Sequence, residues 1–215
     1  TSSPRIPTLN GRDFTPKLRN NHYSLVRFKK MPIPSPSEII SARLNKLDSQ
    51  ILQAVDALTE EEASTWPAAT APSCKWHLWH MGRWADYVQG LLSPVVDTKT
   101  PELWEFAGVA EEWGFEGVDL GMWGAGSGLG NETGQSLPLP AVANVRSYAK
   151  EAFDLLEKRV AKLDDESFNA QFTDWHDNDT SVGDAMVGYI AHANRHLGML
   201  EALSGILGKD GSVTV

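Results

Sequence analysis

The sequence predicts an all-α protein, a four-helix bundle made of two similar halves. Apolar residues recur at i, i+3 and i+4 spacing in four long segments, which is the period of an amphipathic helix. Residues that commonly cap or interrupt helices lie at the ends of these segments. The last segment also carries two histidines one helical turn apart, which places candidate chemistry on a helix rather than on a loop.

The helix boundaries follow from local signals. Ser35-Pro36-Ser37-Glu38 supplies a serine cap, a proline in the first turn and a glutamate three residues after the cap. Ser181 followed by Asp184 gives a similar start for the last helix. Helices are predicted over residues 36–58, 73–92, 140–163 and 181–208.

These helices divide the chain into an N-terminal arm (1–34), a bundle (35–208) and a short C-terminal tail (209–215). Residues 94–138 separate the second and third helices, and a connection of this length is unusual between bundle helices. Each half has the same order, a long helix followed by an acidic turn, a Trp-containing linker and a His-bearing helix. We therefore expect the two His-bearing helices to face each other.

Composition excludes several function classes. The 215-residue chain has a net charge of -9, and its basic residues are scattered, so neither nucleic acid nor an anionic membrane is an expected partner. Cys74 is the single cysteine, which excludes an intramolecular disulfide and a cysteine-based metal cluster. No apolar run is long enough to span a bilayer, and no secretory segment is evident. We expect a cytoplasmic protein.

Histidines on the second and fourth helices are the candidate metal ligands. His192 and His196 lie four residues apart and therefore share one helix face. His77 and His80 lie within about 60° of each other on the second helix, so spacing alone leaves both open as a third ligand. An inward His80 shares its face with bulky apolar residues, which favours His80. Three protein ligands leave one coordination position open, as in catalytic metal sites.

The long connection is predicted to form a lid and part of a substrate pocket. Its glycine-rich part, residues 117–134, can approach a surface closely. Its large side chains offer more apolar surface area than a solvent-exposed loop usually has, and such a surface is typical of a ligand pocket. The predicted pocket residues are Trp104, Trp113, Met122 and Trp123.

The second and fourth predicted helices contain two distinctive runs, Ser73-Cys-Lys-Trp-His-Leu-Trp-His-Met-Gly-Arg-Trp84 and His192-Ala-Asn-Arg-His-Leu-Gly198. These runs and the order of elements resemble the DinB-like four-helix-bundle superfamily. The resemblance spans residues 35–208. It implies a mononuclear divalent metal site, often zinc or nickel, held by His80, His192 and His196. It also implies a metal-dependent transferase or hydrolase activity, because similar proteins include such enzymes, some of which use a low-molecular-weight thiol.

The sequence thus predicts a metal-dependent transferase or hydrolase that acts on a small organic substrate. The alternative is a non-catalytic bundle that binds a small apolar ligand or a partner protein. Helix four is apolar nearly all round, and the N-terminal arm could cover it without the entropy cost of association. We therefore expect a monomer in preference to a homodimer.

Overall fold

The computed structural model describes residues 32–96 and 101–213. Residues 1–31, which make up most of the predicted arm, lie outside the described residues, and so does the prediction that the arm covers helix four. The described chain contains helices and two short strands. In order, these are α1 (Pro36–Asp56), α2 (Glu60–Ser64), α3 (Cys74–Leu91), α4 (Leu103–Phe106), α5 (Val109–Glu112), α6 (Asn131–Ser136), α7 (Val142–Val160), α8 (Asp165–Asn169), β1 (Gln171–Thr173), β2 (Asp179–Ser181) and α9 (Val182–Ile206).

Four long helices, α1, α3, α7 and α9, form the bundle, and the predicted all-α class is confirmed. Helix α3 packs along α7 and α1 packs along α9, while contacts of α1 with α7 and of α3 with α9 close the bundle. The ion pair of Arg146 with Asp56 and the hydrogen bond from Asn45 to Glu157 show that α1 and α7 run antiparallel. The core consists of aliphatic and aromatic side chains from all four helices.

The predicted helix starts agree with the structure to within two residues. Ser35 caps α1 in a complete capping box, because its side chain accepts from the Glu38 amide while the Glu38 carboxylate accepts from the Ser35 amide. Ser73 caps α3 by accepting from the backbone N–H of Trp76. Ser181 caps α9 by accepting from the backbone N–H of Asp184.

The repeated acidic turns form a second pair of equivalent elements. Helices α2 and α8 each have five residues, capped by Thr59 and Asp164 respectively. A linker follows each short helix and leads to a His-bearing helix. In the first half the linker contains an isolated bridge between Ala68 and Ala71, whereas in the second half β1 and β2 form an antiparallel hairpin. The sequence did not predict this hairpin.

The first part of the long connection packs on the flank of the bundle. Helices α4 and α5 are single turns, joined at Gly108, whose φ of 73° lies in the left-handed region. Trp104 of α4 is buried against Tyr148 of α7, with a ring separation of 5.6 Å. Phe115 stacks on Trp79 of α3 at 6.0 Å. This part of the connection extends the hydrophobic core sideways.

Helix α9 is less completely covered than the other long helices. Val187, Met199 and Ile206 are exposed large apolar residues, while Met186 and Leu200 of the same helix are fully buried. None of the helices in residues 32–96 and 101–213 combines the length and the apolar character that a membrane span requires. The oligomeric state stays a prediction.

Candidate metal centre

Three imidazoles from two helices converge beside the glycine-rich segment. His80 comes from α3, and His192 and His196 come from α9. One donor atom from each lies within 4.8 Å of the donor atoms of the other two, and the Nε2 atoms of His80 and His192 are 3.2 Å apart. His80 and His196 are buried, while His192 is partly buried. The structure thus brings together the three histidines that the resemblance implied.

His77 lies beside this group and contacts only one of its members closely. Its Nδ1 is 2.9 Å from Nδ1 of His196, and its ring is buried. One of these two nitrogens must carry a hydrogen and the other must accept it. Because Nδ1 of His196 is engaged in this way, Nε2 is the nitrogen of His196 left for another ligand.

The orientation of His80 is fixed by its surroundings. Its ring stacks on Trp76 at 4.9 Å with an interplanar angle of 12°. Its Nδ1 forms a hydrogen bond with the carbonyl oxygen of Ala125, which requires the hydrogen to be on Nδ1. Nε2 of His80, which carries the free lone pair, therefore faces Nε2 of His192.

Burial keeps all four imidazoles neutral. It lowers the pKa of His80 to about 3 and that of His196 to about 2, and repulsion between neighbouring rings adds to the effect. Burial also lowers the pKa values of His77 and His192 to about 4, with a further contribution at His192 from the charge of Arg195. Neutral imidazoles offer free lone pairs at physiological pH, which metal binding requires.

A buried arginine anchors the backbone that contacts His80. The guanidinium of Arg83 donates through Nε to the carbonyl oxygen of Gly124 at 2.9 Å, one residue before the Ala125 carbonyl. It also lies over the ring of Trp104 at 4.8 Å. Arg83 and His80 are one turn apart on α3, so the same helix face holds both the candidate ligand and the anchor of its hydrogen-bond partner.

Asp86 ties this arginine to the long connection. It is fully buried and accepts hydrogen bonds from Arg83 at 3.1 Å and from the backbone N–H groups of Leu103 and Trp104 at 2.8 Å each. Sequence reasoning missed Arg83 and Asp86. The available signal was an oppositely charged i, i+3 pair within an otherwise apolar helix, which indicates a buried ion pair.

A cavity of about 310 Å³ opens beside the three imidazoles. All three candidate ligands contribute to its wall, and the glycine-rich segment forms another side. The remaining wall is largely apolar. The lining residues are Trp66, Pro72, Trp76, Gly134, residues 126–131 and the imidazoles of His80, His192 and His196.

A second cavity, also of about 310 Å³, lies on another side of His192. His192 is the only one of the three imidazoles that lines it. Its wall carries the charged side chains of Asp174, Asp184 and Arg195, together with His176. The two cavities therefore differ in polarity although they share one imidazole.

None of the four predicted pocket residues lines the cavity beside the three imidazoles. Trp104 is buried in the flank of the bundle, and Trp113 packs against Tyr148 at 5.5 Å. Met122 is 55% exposed. Trp123 packs between Trp84 and a loop histidine, at ring separations of 5.2 Å from each. The three indoles thus pack the connection onto the bundle, whereas Met122 does not.

Comparison with known proteins agrees with this architecture. A solved structure described as the conserved protein of a locus from Enterococcus faecalis shares the fold, with a TM-score of 0.68 and 17% sequence identity. The match covers 82% of this chain and 100% of that one. No curated protein matches this chain. The family model of the DinB superfamily matches residues 43–200. This chain belongs to the DinB superfamily.

Proposed function

We propose that this protein is a metal-dependent enzyme, a transferase or hydrolase acting on a small organic substrate. The observation that carries the proposal is the convergence of His80, His192 and His196 beside a cavity. In this proposal the three imidazoles hold one divalent ion, with zinc or nickel expected, and the cavity admits the substrate. His77 acts as a hydrogen-bond partner of His196.

The donor set fits a metal ion on two counts. In a tetrahedral zinc site with bonds of about 2.0–2.1 Å, two ligand nitrogens are about 3.3 Å apart. The observed separation of 3.2 Å between Nε2 of His80 and Nε2 of His192 matches this value for one pair of ligands, and all three donor atoms lie within 4.8 Å of one another. The hydrogen bond from His80 to a backbone carbonyl also matches the arrangement that orients metal-bound histidines in other proteins.

Three protein ligands would leave a coordination position open toward the cavity. An ion held there supplies a Lewis acid, which lowers the pKa of the group that it binds. The chain itself supplies a rigid donor set, since stacking on Trp76 and the Ala125 carbonyl hold His80 in place. A low-molecular-weight thiol is a candidate occupant of the open position, as the family resemblance implies.

Metal content tests the proposal. We expect untagged protein, purified without chelator, to carry about one equivalent of zinc, nickel, iron or manganese by elemental analysis. His192→Ala should lose most of it, because one ligand is removed. His176→Ala is the matched control, since this imidazole lies outside the group of three and should leave metal content unchanged.

Two results would refute the proposal. One is wild-type protein without a stoichiometric metal that also fails to take up added zinc or nickel. The other is equal loss of metal in the two histidine variants. Either result would favour the alternative, a bundle that binds a small apolar ligand or a partner protein without metal.

A further inference from the structure

We infer that the cavity beside the three imidazoles binds the uncharged aromatic part of the substrate, while a single metal-binding group of that substrate reaches the metal position. The inference rests on the proposed function, because it assumes a metal at the imidazoles. It adds a substrate class, namely a small neutral molecule with one aromatic ring and one metal-binding group.

The composition of the wall selects against charge. Among the residues that the structure describes, no aspartate, glutamate, lysine or arginine lines this cavity. Its polar side chains, apart from the imidazoles, are those of Ser127 and Asn131 together with the indole N–H groups. A charged group would lose hydration on entering and would find no ionic partner in this wall, which is unfavourable in an apolar site. A neutral ring pays no such penalty.

The wall also favours an aromatic ring over other neutral groups. The indoles of the partly buried Trp66 and the buried Trp76 line the cavity, and Pro72 and Leu129 add aliphatic area. Aromatic pairs gain energy beyond the burial of their area. At about 310 Å³ the cavity lies at the lower end of the range for ligand pockets, so it suits one small ring.

Glycines keep this space open and fix its shape. A Cβ atom added at Gly134 would lie 3.3 Å from Cη2 of Trp66 and 3.5 Å from Nε1 of Trp76, so both indoles pack directly on backbone. A Cβ atom at Gly126 would lie 2.8 Å from Cζ3 of Trp79 and 2.9 Å from Cζ2 of Trp76. The wall is therefore preformed and needs little rearrangement to accept a ligand.

The position of the cavity decides between the two spaces around His192. The cavity lined by Trp66 touches all three imidazoles, whereas the charged cavity touches only His192. A ligand that reaches the open coordination position is therefore expected to approach from the Trp66 side. The charged cavity, with Arg195 in its wall, is the competing route for an anionic ligand.

Hydroxamates that differ only in their side group test the inference on the zinc-loaded full-length chain. Acetohydroxamate can bind the metal but has no ring, whereas benzohydroxamate adds a phenyl group and 4-carboxybenzohydroxamate adds a negative charge. Calorimetric titration should show benzohydroxamate binding about tenfold tighter than acetohydroxamate, from burial of one ring. The carboxylated probe should lose that gain.

Three variants locate the effect. Trp66→Ala should remove most of the preference for benzohydroxamate while leaving acetohydroxamate binding similar to that of the wild type. Leu129→Ala, on another part of the wall, should weaken the preference as well, and it serves if the tryptophan variant does not fold. Met122→Ala is the control, because this exposed side chain of the same segment does not line the cavity.

The outcomes separate this inference from the proposed function. Acetohydroxamate binding without any preference for the ring would overturn the aromatic pocket while leaving the metal site intact. Tighter binding of the carboxylated probe, lost in Arg195→Ala, would overturn it in favour of the charged cavity. If the protein takes up no zinc and binds no hydroxamate, the proposed function fails and the inference fails with it.

Discussion

Replacing Gly126 with alanine tests whether the glycine-rich segment is seated on α3 as described. Gly126 has a φ of 87°, a conformation that L residues rarely adopt. Its added methyl group would also lie 2.8 Å from Trp79 and 2.9 Å from Trp76, closer than carbon atoms pack. The substitution therefore introduces two separate penalties, one in the backbone and one in packing.

Gly117→Ala isolates the first penalty. Gly117 has a similar φ of 70°, but no atom lies within 4 Å of the position of its added Cβ. Left-handed backbone costs an L residue about 1 kcal/mol, so the free energy of unfolding should fall by about this amount in both variants. Overpacking a filled site costs about 1–3 kcal/mol more, and this further decrease is expected only in Gly126→Ala. We expect total losses of about 1 and about 2–4 kcal/mol, respectively.

Thermal unfolding of chelator-treated protein measures this difference without reference to a metal. For a domain of this size, 1 kcal/mol corresponds to about 2–4 °C in Tm, so Gly126→Ala should melt clearly below Gly117→Ala. The same variant should weaken zinc binding, because moving Gly126 displaces the adjacent Ala125 carbonyl from His80. Equal Tm shifts in the two variants would refute close packing of this segment on α3.

Further predictions concern groups away from the cavity. Burial, together with two carboxylates of α7, raises the pKa of Asp48 well above its ordinary range, so the stability of the fold should fall as pH rises from about 4. Asp48→Asn should therefore raise Tm at pH 8 and make little difference near pH 4, and an equal gain at both pH values would contradict this. Ser35→Ala should cost about 1 kcal/mol in denaturant unfolding through loss of the α1 cap, while Ser49→Ala at an exposed interior position of α1 should cost nothing. Asp86→Asn should lower the free energy of unfolding by about 3 kcal/mol, because it weakens the ion pair with the buried Arg83. An unchanged midpoint of denaturant unfolding would contradict that role.

The elements that could be predicted from the sequence are those with a long or strongly local signal. Four amphipathic segments, each much longer than a strand, identified the bundle, and serine caps such as Ser35 and Ser181 located two helix starts. The His-x-x-x-His spacing placed His192 and His196 on one face because helix geometry leaves no other arrangement. Helical periodicity also predicts that His80 faces inward together with its apolar neighbours.

Other features depend on tertiary contacts that a sequence pattern does not contain. The hairpin of β1 and β2 has strands of three residues, too short for a two-residue alternation to stand out. The anchoring of Gly124 by Arg83 joins residues on different elements and has no local signature. The tryptophans of the connection were expected to line a pocket, but Trp104 is buried on the flank of the bundle against Tyr148. Sequence shows that a side chain is apolar but not which apolar surface it joins.

The two halves of the chain explain why the candidate ligands have a cavity on each of two sides. Trp66 precedes α3 and Trp175 precedes α9 at equivalent places in the halves, and each lines one of the cavities that share His192. An internal repeat alone would give these cavities similar walls. The 94–138 connection occurs once, and its residues 126–131 line only the cavity that contains Trp66. The hairpin also occurs once, and its tip, at Asp174 and His176, lines only the other. The unequal connections thus give the three imidazoles one apolar approach and one charged approach.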